Sequence, residues 1–253
     1  MKVIVAGELP LVEEITQFCL QAGHDTMMYL VENFLSAIQS GFVFDDSQDA
    51  DVVIELHNES SAAKHELLMA LGNVISPNTL VLTSVLATST TQAAAWMPAP
   101  ERVVGFGVVP PLDQTGLIEI AAARQTAPEA LTWATHFWQG LGFEVVQVAD
   151  APGLVRMRTI ACLVNEAASA VMEGVATPTD IDLAMKLGTN YPHGPLAWGD
   201  LIGLDTILGV LTGLFHEYGE DRYRPCPLLR HMVIAGQLGQ KSGRGFFNYK
   251  DVE

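Results

Sequence analysis

The first 150 residues are poor in cations: Lys2, Lys64, Arg102 and Arg124 stand against eighteen aspartates and glutamates. Residues 151–253 are nearly balanced, with nine cations and eleven acids. So anionic a field opposes nucleic acid and anionic membranes, and it disfavours dinucleotides and coenzyme A unless local groups overcome it. Salt screens it over about 8 Å at physiological strength, so it biases binding without forbidding it. Cysteine is also scarce. Cys19, Cys162 and Cys226 cannot all pair and lack metal-ligand spacing, which predicts reduced core thiols. No cluster of histidine, cysteine and acid suggests a metal site. Nearly half the residues are apolar (49%), yet no uninterrupted run approaches the roughly 20 residues of a membrane span. The start MKVIVAG reads as a strand instead of a signal peptide, so a soluble, cytoplasmic protein is expected. Repeats and low-complexity segments are absent.

The length of 253 residues suits two modest domains. KVIVAG (2–7), TMMYL (26–30), DVVIEL (51–56), TLVLTSV, RVVGFGVV, LIEIAAA and EVVQVA read as strands. Helical periodicity runs through Leu11, Ile15, Phe18, Cys19 and Ala22, through AAKHELLMALG, and from Pro128 to Leu141. Strands alternating with helices predict a parallel sheet covered on both faces. DAPGLV, at Asp150 to Val155, is the natural hinge, giving domains of 1–150 and 151–253.

The second domain reads as all-helical. Leu163, Val164, Ala167, Ala168, Val171 and Met172 recur at helical spacing with small residues between them, as on a helix buried on most of its circumference. Thr177, Pro178 and Asp180 supply a helix start: a capping hydroxyl, a proline at the first position and an acid. That helix stops at Gly188. TNYPHGP is a tight connection, because Tyr191 and Gly194 precede prolines. Another helix begins near Leu196 and breaks around Gly203, and Asp205 can cap a further one ending at Gly219.

The stretch GVATPTDIDLAMKLGTNYPHGPLAWGDLIGLD, followed by RYRPCPLLRHMV and GQKSGRGFFNY, resembles the C-terminal domain of the 3-hydroxyacyl-CoA dehydrogenases across nearly all of residues 150–253. NYPHGPLAW and YGEDRYRPCPLLR look closest to the second half of the longer two-module enzymes of aromatic acyl-CoA breakdown. The resemblance implies a Rossmann-like domain followed by a helical dimerisation domain that closes over the acyl chain. It implies NAD as cofactor and acyl-CoA as ligand, with a homodimer, or a pair with an active paralogue, as the assembly. GQKSGRG lacks the glycine before Lys241 that a phosphate loop needs. Lys241 and Arg244 are expected to shape the C-terminal segment, as the same run does in the family.

The first strand, turn and helix of such a domain carry glycines that let the backbone approach a pyrophosphate. Here the turn reads Gly7, Glu8, Leu9, Pro10, Leu11, Val12. Gly7 matches the first glycine. Leu9 and Val12 add side chains, Glu8 adds a negative charge, and Pro10 removes an amide. Leu30 stands where an acid would hold the ribose. Only about twenty residues separate Leu30 from Asp51, so the family's helical hairpin looks deleted.

In the family a histidine takes the proton of a 3-hydroxyl as hydride leaves, a glutamate orients the imidazole, and a serine and an asparagine position the oxygen. Aligned with VVGFGVVPPLDQTGLIEI, the family segment matches Gly105, Pro111 and Glu119, but Gly107 stands at the histidine and Pro110 at an asparagine. Leu86 falls at the serine. In DAPGLVRMR, Met157 stands at the positioning asparagine while Arg158 is kept. Glu119 alone remains, and a structural role in an apolar strand is its other reading. Glu55 also matches a family acid; the alternative is a solvated strand terminus. His57, after a strand at the carboxyl edge, and His193, in the YPHGP turn, are the candidate substitute bases, although both read as exposed loop histidines. His24 reads as structural. The pattern predicts a family protein with lost or severely weakened NAD-dependent oxidation, acting as a scaffold, regulatory partner or acyl-thioester binder. An active dehydrogenase with a rearranged site is the alternative.

Overall fold

A computed structural model describes residues 1–30, 50–58, 61–109, 112 and 116–249. Contacts divide the chain into two units, Met1–Leu154 and Val155–Glu253.

In the first unit, seven strands form one sheet in the order β2-β1-β3-β4-β5-β6-β7. They are β1 (Lys2–Gly7), β2 (Asp25–Leu30), β3 (Val52–Leu56), β4 (Leu80–Ser84), β5 (Val103–Gly107), β6 (Leu117–Ala122) and β7 (Glu144–Gln147). The helices are α1 (Leu11–Gln21), α2 (Ser61–Val74), α3 (Thr90–Ala95) and α4 (Pro128–Gly140). Every residue of β3, β4 and β5 is buried, as expected of central strands covered on both faces. Alternation divides the covering: Val3 and Val5 pack with Val12 and Ile15 of α1, whereas Ile4 and Ala6 pack with Leu67, Leu68 and Leu71 of α2. The expectation of a parallel sheet is corrected at one place, where β6 runs antiparallel to β5. Too few residues join these strands for a crossover helix, so the chain turns back. The helix α3 escaped the sequence reading; Ser89 caps it by accepting the Gln92 amide.

The second unit contains α5 (Arg156–Met172), α6 (Pro178–Thr189), α7 (Pro195–Ile202), α8 (Leu204–Tyr218) and α9 (Pro227–Ile234). Helix α5 packs on α7, α8 and α9 through Ile160, Ala161, Val164 and Ala168. Met172, expected on its packed face, is 47% exposed at the helix end. Thr177 caps α6 by accepting the Asp180 amide at 3.2 Å. That helix ends one residue beyond Gly188, at Thr189, with Asn190 in the left-handed conformation. Asp205 does not cap α8. The cap position is Gly203, and the Asp205 carboxylate accepts the Lys241 ammonium instead. The unit is also not purely helical, because Arg244 forms isolated bridges with Gly239 and Asn248.

Two buried aspartates hold this unit together. Asp182 on α6 accepts the Leu196 and Ala197 amides at the start of α7, each at 2.8 Å. Asp200 accepts the Phe246 and Phe247 amides at 3.0 Å and the Tyr249 hydroxyl at 3.1 Å. A Cβ on Gly194 would overlap Asp182, and one on Gly245 would overlap Asp200. Gly239 and Gly245 of GQKSGRG thus serve close packing against Asp200, and burial pushes the Asp200 carboxyl above its ordinary range while its three donors oppose the shift. Among the described residues no single helix is long and apolar enough to cross a membrane.

Candidate functional site

Strand order reverses at β1, which pairs with β2 on one side and β3 on the other. In open α/β sheets the carboxyl ends of such strands flank the ligand crevice. Gly7 ends β1 and Leu56 ends β3, and they are register partners. The strands approach so closely that a Cβ on Gly7 would overlap that of Leu56 and lie 3.2 Å from its Cα. Gly7 is therefore required by strand packing, whatever else it does.

The same register sets Glu8 and His57, each one residue beyond its strand, beside one another. The Glu8 carboxylate and His57 Nδ1 make an ion-pair contact whose angles fall short of a regular hydrogen bond. A carboxylate only accepts, so the contact suits an Nδ1 that carries hydrogen. His57 is not the exposed loop residue expected. It is 6% exposed, and among the described residues its Nε2 has no hydrogen-bond partner.

Glu55 is not a solvated terminus either. It is fully buried, and its carboxylate gathers the surrounding chain. One oxygen accepts the His57 amide at 2.7 Å. The other accepts the Thr83 hydroxyl at 2.6 Å and the ammonium of Lys64, which is itself 3% exposed. Lys64 also donates to the His57 carbonyl at 2.9 Å. Nearby, the Ser84 hydroxyl donates to Asn58 Oδ1 at 3.1 Å, and Asn58 donates to the Leu56 carbonyl. Glu55 holds the backbone on which His57 stands, leaving its oxygens committed. Lys64 was missed in the sequence, although a lysine among the apolar residues of AAKHELLMAL, nine positions after a buried strand acid, was the available signal.

The turn fits a dinucleotide diphosphate poorly as it stands. Two of the amides that a helix start normally leaves free are already used: Val12 donates to the Glu8 carbonyl and Glu13 to the Pro10 carbonyl, both at 3.1 Å. Glu13 and Glu14 add negative charge to that first turn. Leu30, at the end of β2, packs partly buried against the apolar core.

At the far side of the sheet, Gly107 and Glu119 are direct cross-strand partners. Glu119 is 4% exposed. A Cβ built on Gly107 would lie 3.6 Å from Glu119 Oε2 and 3.0 Å from Leu154 Cδ1. The backbone thus presents position 107 to the carboxylate, but a glycine offers it no side chain and the isobutyl group of Leu154 lies against the opening. Leu86 is 1% exposed. Next to it, Val85 packs with Ala121 and Leu154. No proton carrier comes from these positions.

Met157 is buried in α5 of the second unit. His193, also there, is partly buried, with its ring 5.9 Å from that of Trp198. Arg158 donates to the Tyr223 hydroxyl and lies over the Tyr218 and Tyr223 rings. His24 stacks on Phe137 at 5.7 Å. Pro110, Pro111 and the stretch between Leu30 and Ala50 lie outside the described residues, and among the described residues no group of side chains could hold a metal ion.

Comparison with known proteins accounts for this combination. Residues 11–151 match the family model of the 3-hydroxyacyl-CoA dehydrogenase NAD binding domain, and residues 153–249 match that of the 3-hydroxyacyl-CoA dehydrogenase C-terminal domain. A probable 3-hydroxybutyryl-CoA dehydrogenase of Bacillus subtilis is 38% identical over 221 residues, covering 87% of this chain and 77% of that one. The 3-hydroxyadipyl-CoA dehydrogenase of Escherichia coli is 48% identical over 118 residues, 47% of this chain and 25% of that one. Among solved structures, the (S)-3-hydroxybutyryl-CoA dehydrogenase PaaH1 of Ralstonia eutropha superposes with a TM-score of 0.83 at 29% identity, covering 99% of both chains. NAD is the cofactor expected for this family. Family models matched over both the sheet unit and the helical unit, with relatives of this identity and coverage, settle the membership: the chain belongs to the 3-hydroxyacyl-CoA dehydrogenase family.

Proposed function

We propose that this member of the family has lost, or retains only weakly, NAD-dependent oxidation of 3-hydroxyacyl thioesters. It would serve instead as a scaffold, a regulatory partner or an acyl-thioester binder in acyl-CoA metabolism. The observation that carries the reading is the pair Gly107 and Glu119: the carboxylate is in place while its cross-strand partner has no imidazole to orient. Loss of a general base commonly costs about two to four orders of magnitude in rate. Here Leu86 and Met157 stand in place of the expected positioning groups as well, and neither carries a group that exchanges a proton.

Turnover tests this directly. With NAD and (S)-3-hydroxybutyryl-CoA, NADH formation should run at least about a hundredfold below that of an active family member at equal concentration. Ordinary turnover would overturn the proposal and favour a dehydrogenase with a rearranged site. For that reading Glu55 is poorly suited, since three donors already hold it. A cytoplasmic location and a homodimer, or a pair with an active paralogue, complete the reading. The helical unit exposes Leu183 and Leu187 on α6, the latter by 79%, which supports an assembly through this unit. A sedimentation experiment returning a monomer at micromolar concentration would remove the homodimer.

A further inference from the structure

We propose that His57 and Glu8 form a self-occupied anion seat at the β1 turn, in which the Glu8 carboxylate takes the place that the diphosphate of a nucleotide would claim. The bland alternative is a core histidine satisfied by its surroundings. Against it, the ring is buried and neither of its nitrogens has a regular hydrogen-bond partner among the described residues, a state that burial penalises. The groups around the ring do not explain its placement. The Glu55 carboxylate accepts the His57 backbone amide and Lys64 donates to the His57 carbonyl, so both fix the main chain and leave the imidazole to Glu8.

The location gives the pair its meaning. It stands at the carboxyl ends of β1 and β3, where strand order reverses. The usual backbone donors of such a seat are reduced there, because Val12 and Glu13 commit their amides to local carbonyls. His57 Nδ1 is a side-chain donor site at that turn, and it already faces the Glu8 carboxylate. A carboxylate and a phosphate oxygen make the same demand on it, since both only accept. The resident anion is covalently attached and always present at high effective concentration, so an incoming nucleotide must displace it and also meet its charge. Neutralising Glu8 should therefore uncover a diphosphate site instead of merely weakening repulsion. This inference rests on the family fold and concerns binding alone, so it can fail while the oxidation reading stands, and conversely.

The test measures ADP binding by titration calorimetry, and the shift of the urea midpoint by ADP, for the full chain and its variants. Glu8 is about a quarter exposed, with 27% of its side chain accessible, so Glu8→Gln should fold. It should bind ADP at least about tenfold more tightly than the parent, with no gain for adenosine, which carries no phosphate. In that background His57→Asn, whose amide nitrogen falls near Nδ1, should keep the gain. His57→Gln, whose amide falls near Nε2, should lose it. Three results would overturn the proposal: unchanged ADP binding by Glu8→Gln, an equal gain for adenosine, or a gain that survives in Glu8→Gln/His57→Gln. Should the His57 variants not fold, the ADP and adenosine comparison on Glu8→Gln still decides.

Discussion

Replacing Glu55 by glutamine separates a scaffolding carboxylate from a catalytic one. Glu55 is 0% exposed and Lys64 is 3% exposed. The substitution keeps the shape but leaves a buried ammonium facing a neutral amide. Removing one member of a buried pair typically costs about 3–5 kcal/mol, because the remaining charge is left uncompensated. Total stability for a domain is about 5–15 kcal/mol, so the loss should be plain in a urea titration. Lys64→Met should cost a similar amount, now stranding the carboxylate, although the His57 amide and the Thr83 hydroxyl still serve it. The double variant carries neither charge. The carboxamide oxygen introduced by Glu55→Gln can still accept the His57 amide, and the Thr83 hydroxyl can rotate to accept from the carboxamide nitrogen. The main uncompensated loss is the Lys64 bond to the His57 carbonyl, about 1 kcal/mol. The double variant should thus lie within about 2 kcal/mol of the parent, far from the sum of the singles. Tryptophan fluorescence reports mainly on the first unit, which holds Trp96, Trp133 and Trp138, leaving only Trp198 in the second. A single-variant loss below about 1 kcal/mol, or strict additivity, would refute the argument.

Gly7→Ala tests the close approach of β1 and β3: its Cβ would overlap that of Leu56, and a destabilisation of at least about 1–3 kcal/mol is expected in the same titration, even in the absence of any nucleotide. A neutral result would mean the strands can separate cheaply. Cys19, wholly buried on α1, has its thiol pushed up to about 12 by burial. Because the folded value lies above that of an unfolded cysteine, near about 8.5, the unfolded chain loses this proton first. The associated stability is present below about pH 8.5 and is lost as pH rises toward about 12. Urea midpoints should fall across that window and fall less in Cys19→Ala; identical slopes would contradict the assignment. The same burial predicts that Cys19 resists alkylation at pH 8 until denaturant is added, a result readable by mass spectrometry.

Periodicity and turn residues were enough to locate the strands and the main helices, because burial imposes a repeat of two or of 3.6 on the chain. They failed where the deciding contact is distant in sequence. Glu55 and His57 look like polar residues at a strand end, and only the β3–β4 pairing with Thr83 and the return of Lys64 along α2 make them interior. Glu8 and His57 are separated by almost fifty positions. Their contact follows from the Gly7 and Leu56 register, which no local pattern encodes. Asp205 illustrates the converse error: acids favour helix starts, but its oxygen was claimed by Lys241, far along the chain. The antiparallel turn of β6 was missed because an apolar run says nothing of direction.

What each buried feature holds up separates folding from chemistry. Asp150 accepts the Thr90 and Thr91 amides, Asp182 those of Leu196 and Ala197, and Asp200 those of Phe246 and Phe247. Beside Asp182 and Asp200 stand glycines with no room for a Cβ. Replacing any of these aspartates would orphan two backbone donors, so they are tied to folding irrespective of chemistry. The imidazole expected opposite Glu119 is different in kind. Gly107 closes the same cross-strand pair that a histidine would, since the register belongs to the backbone. A glycine there leaves the strand pairing intact and offers Glu119 no imidazole. The family-model matches over both units are therefore evidence about packing, and activity has to be judged separately at positions 107, 86 and 157. If the proposed loss of oxidation is right, Gly107→His alone should leave NADH formation low: Leu154 would have to move aside, Leu86 and Met157 would still carry no group that exchanges a proton, and Glu8 would still lie against His57 at the β1 turn.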